Sequence, residues 1–352
     1  MTSKIIGVGS CIPSEVINNL YFQSHDFFDE SGLKLDQDNV EIVRKLTEIT
    51  GIEERRYAHK TLVTSDLGVV AARLAIENSK IDPETLDYII FAHNFGDVPY
   101  GNIQSDAVPS LASRVKHQLR IKNNYCVAYD VLFGCPGWIE GFIQANAFIR
   151  SGIAKNCLVI GAETLSRVVD IHDRDSMIYA DGAGAVVITI TKDDIGVKSH
   201  LSASHTLNEK DFLYFGTSYN SETLSDTKFI KMNGRKIYEF ALSQVPQAMK
   251  KCFDESGYKI NQLSKIIIHQ ANEKMDQEIV KRFYKLYDLP VPTDIMPMSI
   301  NKLGNSSVAT IPTLLSMILN NELQTHHIQE NDIVLFASVG AGMNINALVY
   351  KF

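Results

Sequence analysis

Residues 128–152 read AYDVLFGCPGWIEGFIQANAFIRSG. An apolar, strand-like run breaks at Gly134, presents Cys135, and continues as a helix. Pro136 suits the first helical turn, where its missing N–H would be unpaired in any case. Trp138, Ile139, Phe142, Ile143, Ala145 and Phe148 make that helix apolar on most sides, the pattern of one buried in a large core. Cys135 then falls at a helix N-terminus, where free N–H groups and the positive dipole end favour a thiolate. This stretch alone leaves two readings open: a small buried hydrophobe, or a nucleophile.

Working outward, upstream residues 4–9, KIIGVG, read as a strand. Val40, Ile42, Val43, Leu46 and Ile49 space a helix that Gly51 stops, and Glu53, Glu54, Arg55 and Arg56 read as a solvated turn. Residues 64–78 are an Ala-rich helix capped by Thr64 or Ser65. Residues 86–93, LDYIIFAH, are a continuous apolar run, the mark of a strand covered on both faces. The polar segment 94–109 is a long loop, either functional or a surface excursion. Residues 111–119 read as a helix, 157–161 as a buried strand, and 182–191 as a small-residue turn leading into a strand. A first αβ half therefore closes at Thr191 (1–191), and a second spans 192–352. In it, 192–228 read as a polar crossover, 235–253 as a helix with an irregularity at Pro246, and 266–269 as a short strand ending in His269. Helices at 274–286 and 306–320 follow, then strands at 332–339 and 346–352. Two such halves predict an α/β fold of sheets flanked by helices.

Composition narrows the function classes. A net charge of -7 and the lack of a basic arm argue against nucleic-acid binding. No apolar run reaches the length of a membrane span, and the N-terminal MTSKIIGVGSCIPSE lacks the apolar core of a secretory signal. The five cysteines are scattered without CxxC spacing, which fits a reducing cytoplasm rather than disulfides or a zinc site.

Two more polar sites stand out: IIIHQAN at 266–272 and NKLGNSSVATIP at 301–312. His269 ends a buried strand, where open αβ sheets place ligands, and Asn305 or Ser306 would serve equally as a helix cap. The Cys135 stretch, His269-Gln270-Ala271-Asn272 and Gly304-Asn305-Ser306-Ser307, in that order, resemble the β-ketoacyl-acyl-carrier-protein synthase III family of condensing enzymes in the thiolase superfamily. The resemblance runs end to end through KIIGVGSCIP, TGIEERR (50–56), VKHQLRIKN (115–123), SGIAKNCLVIGAETLSR (151–167), DRDSMIYADGAGAVVI (173–188) and the glycine turn at 340–342.

The resemblance implies a thiolase-like five-layer αβαβα fold of two duplicated halves, the first carrying the nucleophile and the second the histidine and asparagine. It implies an acyltransferase in fatty-acid or secondary-metabolite synthesis. An acyl thioester is held on Cys135 and joined by decarboxylative Claisen condensation to a malonyl- or β-ketoacyl-carrier thioester, giving a 3-oxoacyl product. Cys135, His269 and Asn305 carry over as the catalytic set, with backbone N–H groups of Cys135, Gly340 and Ala341 as oxyanion hole. Arg174, Asn272, Lys274, Lys281, Arg282 and Arg235 carry over as substrate and carrier contacts, with Lys236 nearby. No metal or redox cofactor is implied; phosphopantetheine thioesters, on acyl carrier protein or as acyl-CoA, are substrates, and the enzyme is a homodimer. Lys45 and Ile49 stand near the position where acetyl-CoA-using relatives have a tryptophan, and Asp175 replaces a glycine after Arg174. Both point to a carrier-delivered primer, and the 94–109 loop, longer than in the housekeeping enzyme, hints at a specialised acyl chain. The alternatives are non-decarboxylative joining of two β-ketoacyl thioesters, as in dialkylresorcinol or pyrone pathways, and a non-catalytic thioester-binding partner subunit. A cysteine hydrolase ranks low, since no third group to orient a Cys–His pair is evident.

Overall fold

Continuous apolar runs become strands buried on both faces, because each sheet has helices on either side. The computed structural model describes residues 2–223 and 226–352; Met1, and Leu224 and Ser225 of the polar 192–228 stretch, lie outside the described residues. The first half contributes β1 (Thr2–Cys11), β2 (Glu15–Asn18), α1 (Asn39–Thr50), β3 (Glu54–Tyr57), α2 (Thr64–Ser79), β4 (Tyr88–Ala92), α3 (Leu111–Gln118), β5 (Val127–Val131), α4 (Gly137–Arg150), β6 (Asn156–Thr164) and β7 (Asp181–Thr191). The second contributes β8 (Gly196–Ser204), β9 (Leu213–Thr217), β10 (Lys228–Met232), α5 (Gly234–Glu255), β11 (Leu263–Ile268), α6 (Glu273–Lys285), α7 (Ile300–Leu303), α8 (Thr310–Leu319), β12 (Ile333–Gly340) and β13 (Asn344–Lys351).

One sheet runs β1-β7-β6-β4-β5 and the other β8-β13-β12-β11. In both, the first two pairs are antiparallel and the third, β6–β4 or β12–β11, is parallel; the first sheet adds β5, parallel to β4. The same order and sense recur, which is the duplication in structural terms. Helices α4 and α8 lie between the sheets; α2 and α3 cover the outer face of the first, α5 and α6 that of the second. This is a thiolase-like α/β fold in five layers. In the middle layer Trp138, Ile139, Phe142, Ile311, Leu314 and Leu315 pack against Val159, Phe336 and Leu348. Burying each such side chain contributes roughly 1.5–3 kcal/mol.

Several local expectations are corrected. Glu53–Arg56 is not a solvated turn: Glu54–Tyr57 pairs with β2, and Arg55 is fully buried, donating to Ile17 O (3.1 Å) and Asn19 Oδ1 (2.7 Å) and lying over Phe22. The α2 cap is Val63, whose N–H donates to the Asp66 carboxylate at 3.1 Å, because Thr64 and Ser65 are turned into the buried interior. Residues 182–184 are not a turn but part of β7. Their smallness lets α8 approach: a Cβ on Gly184 would stand 2.5 Å from Thr313 N. The 192–228 segment holds β8 and β9 rather than only a crossover, and 306–320 starts as a 3₁₀ turn (Ser307–Ala309) before α8. Among the described residues no helix is long and apolar enough to cross a membrane.

Candidate active site

β5 ends at Val131, and the chain turns through Gly134 into α4, whose N-cap is Pro136. Cys135 sits in that turn, lining a cavity of about 410 Å³. The turn at 340–342, which follows β12, packs against it backbone to backbone. A Cβ on Gly340 would lie 2.3 Å from Cys135 N, so only glycine permits the approach.

His269 follows β11 and extends its ladder, its N–H donating to Ala337 O at 2.9 Å. Gln270 anchors the segment by accepting from Ser299 N (2.9 Å) and donating to Pro297 O (2.9 Å). Asn305 is locked to the first half: its N–H donates to Ile178 O (2.9 Å) and its carbonyl accepts from Ala180 N (2.8 Å). Its Oδ1 accepts from Ser307 N at 2.8 Å, which leaves the Nδ2 hydrogens as the free donors. The structure thus brings Cys135, His269, Asn305, Gly340 and Ala341 around one cavity, whose other walls are mostly apolar.

Burial sets the protonation states. It pushes the His269 imidazole down to about 4, so the ring is neutral at pH 7; no carboxylate pairs with it, and Nδ1 is buried without a partner among the described residues. The Cys135 thiol is pushed up to about 11, against the pull of the Ser307 hydroxyl and its own backbone N–H. Desolvation thus opposes the thiolate that the helix N-terminus favours.

Three participants were not singled out from sequence. Ser307 Oγ donates to Cys135 Sγ at 3.3 Å. Asn94 Nδ2 donates to Ser307 Oγ (3.3 Å) and to Glu163 Oε1 (2.7 Å). Glu163 is fully buried, its carboxyl pushed up to about 8 by desolvation, and its Oε2 has no partner among the described residues. The two-residue spacing after Asn305 was a usable signal for Ser307. Asn94 and Glu163 meet only because β4 and β6 pair in parallel with Ala92 opposite Gly161, two residues before each.

The basic residues lie outside the cavity lining. Asn272 caps α6, accepting from Met275 N at 3.0 Å. Lys274 is exposed at the start of that helix, beside the cavity residues Ala271 and Met275. Lys281 and Arg282 both pair with Glu278, at 3.4 and 3.0 Å, so that face is less basic than its sequence. Arg235 is 89% exposed and pairs with Glu239; Arg174 is 59% exposed, 4.0 Å from Asp175. Of the 94–109 loop, Asn94 and Phe95 line the cavity, and Asp97 is buried against Ser65 and Arg114.

Residues 129–205 match the family model of 3-oxoacyl-[acyl-carrier-protein] synthase III, and residues 253–352 match the model of its C-terminal part. The chain is 31% identical over 353 aligned positions to a β-ketoacyl-[acyl-carrier-protein] synthase III of Staphylococcus haemolyticus, covering 100% of this chain and 99% of that one. Among solved structures it resembles 3-oxoacyl-[acyl-carrier-protein] synthase III from Aquifex aeolicus, with a TM-score of 0.82, 28% identity, and 99% and 100% of the two chains covered. The Thermus thermophilus enzyme of that name gives a TM-score of 0.81 at 27% identity, covering 99% and 98%.

Proposed function

As this chain belongs to the 3-oxoacyl-[acyl-carrier-protein] synthase III family, and is thereby an acyltransferase of Claisen condensation, we propose that Cys135, His269 and Asn305 carry its two half-reactions. Neither joining of two β-ketoacyl thioesters nor a non-catalytic partner role is favoured by that membership. In the first half-reaction the Cys135 sulfur attacks the acyl thioester carbonyl as its proton leaves. The carbon–sulfur bond to the carrier breaks, and the departing thiolate takes up a proton. In the second, the malonyl thioester loses CO₂, and the electron pair left behind forms an enolate. Neutral N–H donors from the His269 ring and Asn305 Nδ2 hold the enolate oxygen. The enolate carbon attacks the acyl-Cys135 carbonyl, whose oxyanion meets the N–H groups of Cys135 and of Gly340 or Ala341. That attack forms the carbon–carbon bond; collapse of the tetrahedral intermediate restores the carbonyl and breaks the bond to Cys135, whose sulfur leaves and takes up a proton.

The observation that carries this reading is the pair of neutral donors beside a thiol in one apolar cavity. A cationic imidazole would stabilise the malonyl carboxylate and oppose its loss; the neutral ring does not. Phosphopantetheine thioesters are the substrates, and no metal or redox group takes part. The carrier reaches the mouth between the starts of α5 and α6, where Ile237, Ala271 and Met275 line the cavity and Arg235, Lys236 and Lys274 stand exposed. Asn272 and, though they share Glu278, Lys281 and Arg282 lie on the same helix, and Arg174 is a further exposed contact; the exposed cations suit an acidic acyl carrier protein better than the adenine of acyl-CoA, since Lys45 and Ile49 offer no ring to stack on. The reading includes a homodimer, which β5, an edge strand flanked by Leu132 at 67% exposure, supports. The two halves, 1–191 with the cysteine and 192–352 with the histidine and asparagine, are the functional units, and the unpaired cysteines suit the cytoplasm.

The test is intact-protein mass spectrometry after mixing the enzyme with a panel of acyl-CoA and acyl-carrier thioesters, beside Cys135→Ala. A mass gain absent from the variant supports the nucleophile. No gain from any thioester, in folded protein, removes the assignment.

A further inference from the structure

A second cavity, of about 180 Å³, abuts the catalytic one. Asn94, Phe95 and Phe215 border both. The rings of Phe95 and Phe215 stack with centroids 5.1 Å apart and planes 21° from parallel. The partition is therefore two apolar side chains, one from the loop after β4 and one from β9. Asn94 stands in the same wall, only two hydrogen bonds from the Cys135 sulfur through Ser307.

Beyond the partition the chemistry changes. Ser105, Arg167 and Lys228 line the second cavity, and among the described residues no Asp or Glu does. Arg167 is held in place from behind. Its Nη2 donates to Ala58 O (3.0 Å) and His59 O (3.1 Å), and its guanidinium lies 5.0 Å from the Tyr100 ring centroid. Its Nη1 donates to Ser166 Oγ (3.3 Å), which in turn donates to the Asp181 carboxylate (2.6 Å), so the nearest negative charge reaches the guanidinium only through that hydroxyl; among the described residues the buried Nε–H has no acceptor and no carboxylate pairs with Arg167 directly. Lys228, exposed at the start of β10, likewise has no ion-pair partner there. A guanidinium fixed on one side by backbone carbonyls can donate to a carboxylate from its other edge.

Resting on acyl transfer to Cys135, we propose that the two cavities form one acyl channel. The Phe95–Phe215 stack is its gate, and the distal chamber binds the terminal carboxylate of a dicarboxylic acyl primer. The apolar first cavity takes the methylene chain; Arg167, aided by Lys228, takes the far end. An unsubstituted acyl chain of equal length reaches the same chamber but leaves both cations unpaired, so the site discriminates by charge rather than by length.

The experiment mixes the full chain with pentanoyl, hexanoyl, glutaryl and adipyl thioesters of the carrier and of CoA, and follows acyl-enzyme formation by intact mass. The wild type is expected to load a dicarboxylic acyl group at least tenfold faster than the monocarboxylic group of matching length. R167Q should cut that ratio at least tenfold, R167K should restore part of it, and Phe95→Ala should raise loading of the longer chains of both kinds. A parallel melting series with free glutarate and adipate should show a ligand-induced rise in the wild type that R167Q diminishes. Equal or faster monocarboxylic loading, with a ratio unmoved by R167Q, overturns the distal carboxylate site while leaving acyl transfer intact. Failure of every thioester to load removes the acyl-enzyme, and this inference falls with it.

Discussion

Replacing Ser307 by alanine removes the hydroxyl that donates to Cys135 Sγ at 3.3 Å. Alanine keeps the backbone N–H that ties Asn305 Oδ1, and it tolerates the φ of 52° at this position about as serine does. Burial already pushes the thiol up to about 11, and the hydroxyl works against that rise. A hydrogen bond to a charged group nets about 1.5–3 kcal/mol, and a pKa unit is worth about 1.36 kcal/mol, so its loss lifts the thiol by roughly one to two units. Each unit lowers the thiolate fraction at pH 8 about tenfold, while the more basic sulfur regains about threefold in nucleophilicity at a Brønsted slope of about 0.4–0.5. Alkylation of Cys135 by iodoacetamide should therefore slow by roughly 3- to 15-fold. Intact mass spectrometry follows the labelling, and Cys135→Ala supplies the background from Cys11, Cys126, Cys157 and Cys252. In the wild type the rate should climb steadily with pH through the neutral and alkaline range. Equal or faster labelling of the alanine variant, in protein that melts like the wild type, refutes the hydrogen-bond argument. A plateau below about pH 9 would refute the dominance of burial.

Three further perturbations separate roles. Asn305→Ala should form the acyl-enzyme within a few-fold of the wild-type rate yet lose about 10²–10³ in condensation with malonyl-carrier; an equal loss in loading would contradict an enolate role. His269 is held at about 4 when folded, against an ordinary value of about 6.5 when unfolded. The unfolded chain binds the proton first, so wild-type stability should fall by up to about 3 kcal/mol as pH drops from about 6.5 to 4, and less in His269→Asn; parallel urea midpoints across that window would count against a buried neutral ring. Lys231 is fully buried, pairing with Asp170 (2.6 Å) and Asp173 (3.0 Å), and it pins the β9–β10 ribbon that roofs the cavity. Lys231→Met should cost about 3–5 kcal/mol in urea unfolding by stranding two carboxylates; a loss below about 1 kcal/mol would mean that the pair does not hold the roof.

Local pattern was enough for most elements. The runs of β4, β6 and β12 could only be buried strands, and the apolar circumference of α4 could only be a central helix, so Cys135 at their junction was visible without coordinates. His269 and Asn305 were legible because each ends or follows such an element inside a motif that resembles a known family. The charged residues misled. Arg55 and Lys231 look like surface groups in one dimension, and both are buried, because a charge says nothing of the partners that will meet it. The same holds for Lys281 and Arg282, which share Glu278.

What the sequence determined alone is whatever depends on neighbours a few residues apart: strand or helix, the turn that exposes Cys135, the glycines that let backbones close in, and the order of the motifs. Tertiary structure decided whatever depends on contacts between distant segments. It set Asn94 opposite Glu163 through the parallel register of β4 and β6, aimed Ser307 at the sulfur, and stacked Phe95 on Phe215 from opposite halves. It also kept Arg167 from direct pairing with a carboxylate among the described residues, with Asp181 reached only through Ser166, and moved the thiol and imidazole in opposite directions. Desolvation and pairing are properties of a site's surroundings in space, and periodicity along a chain carries no record of them.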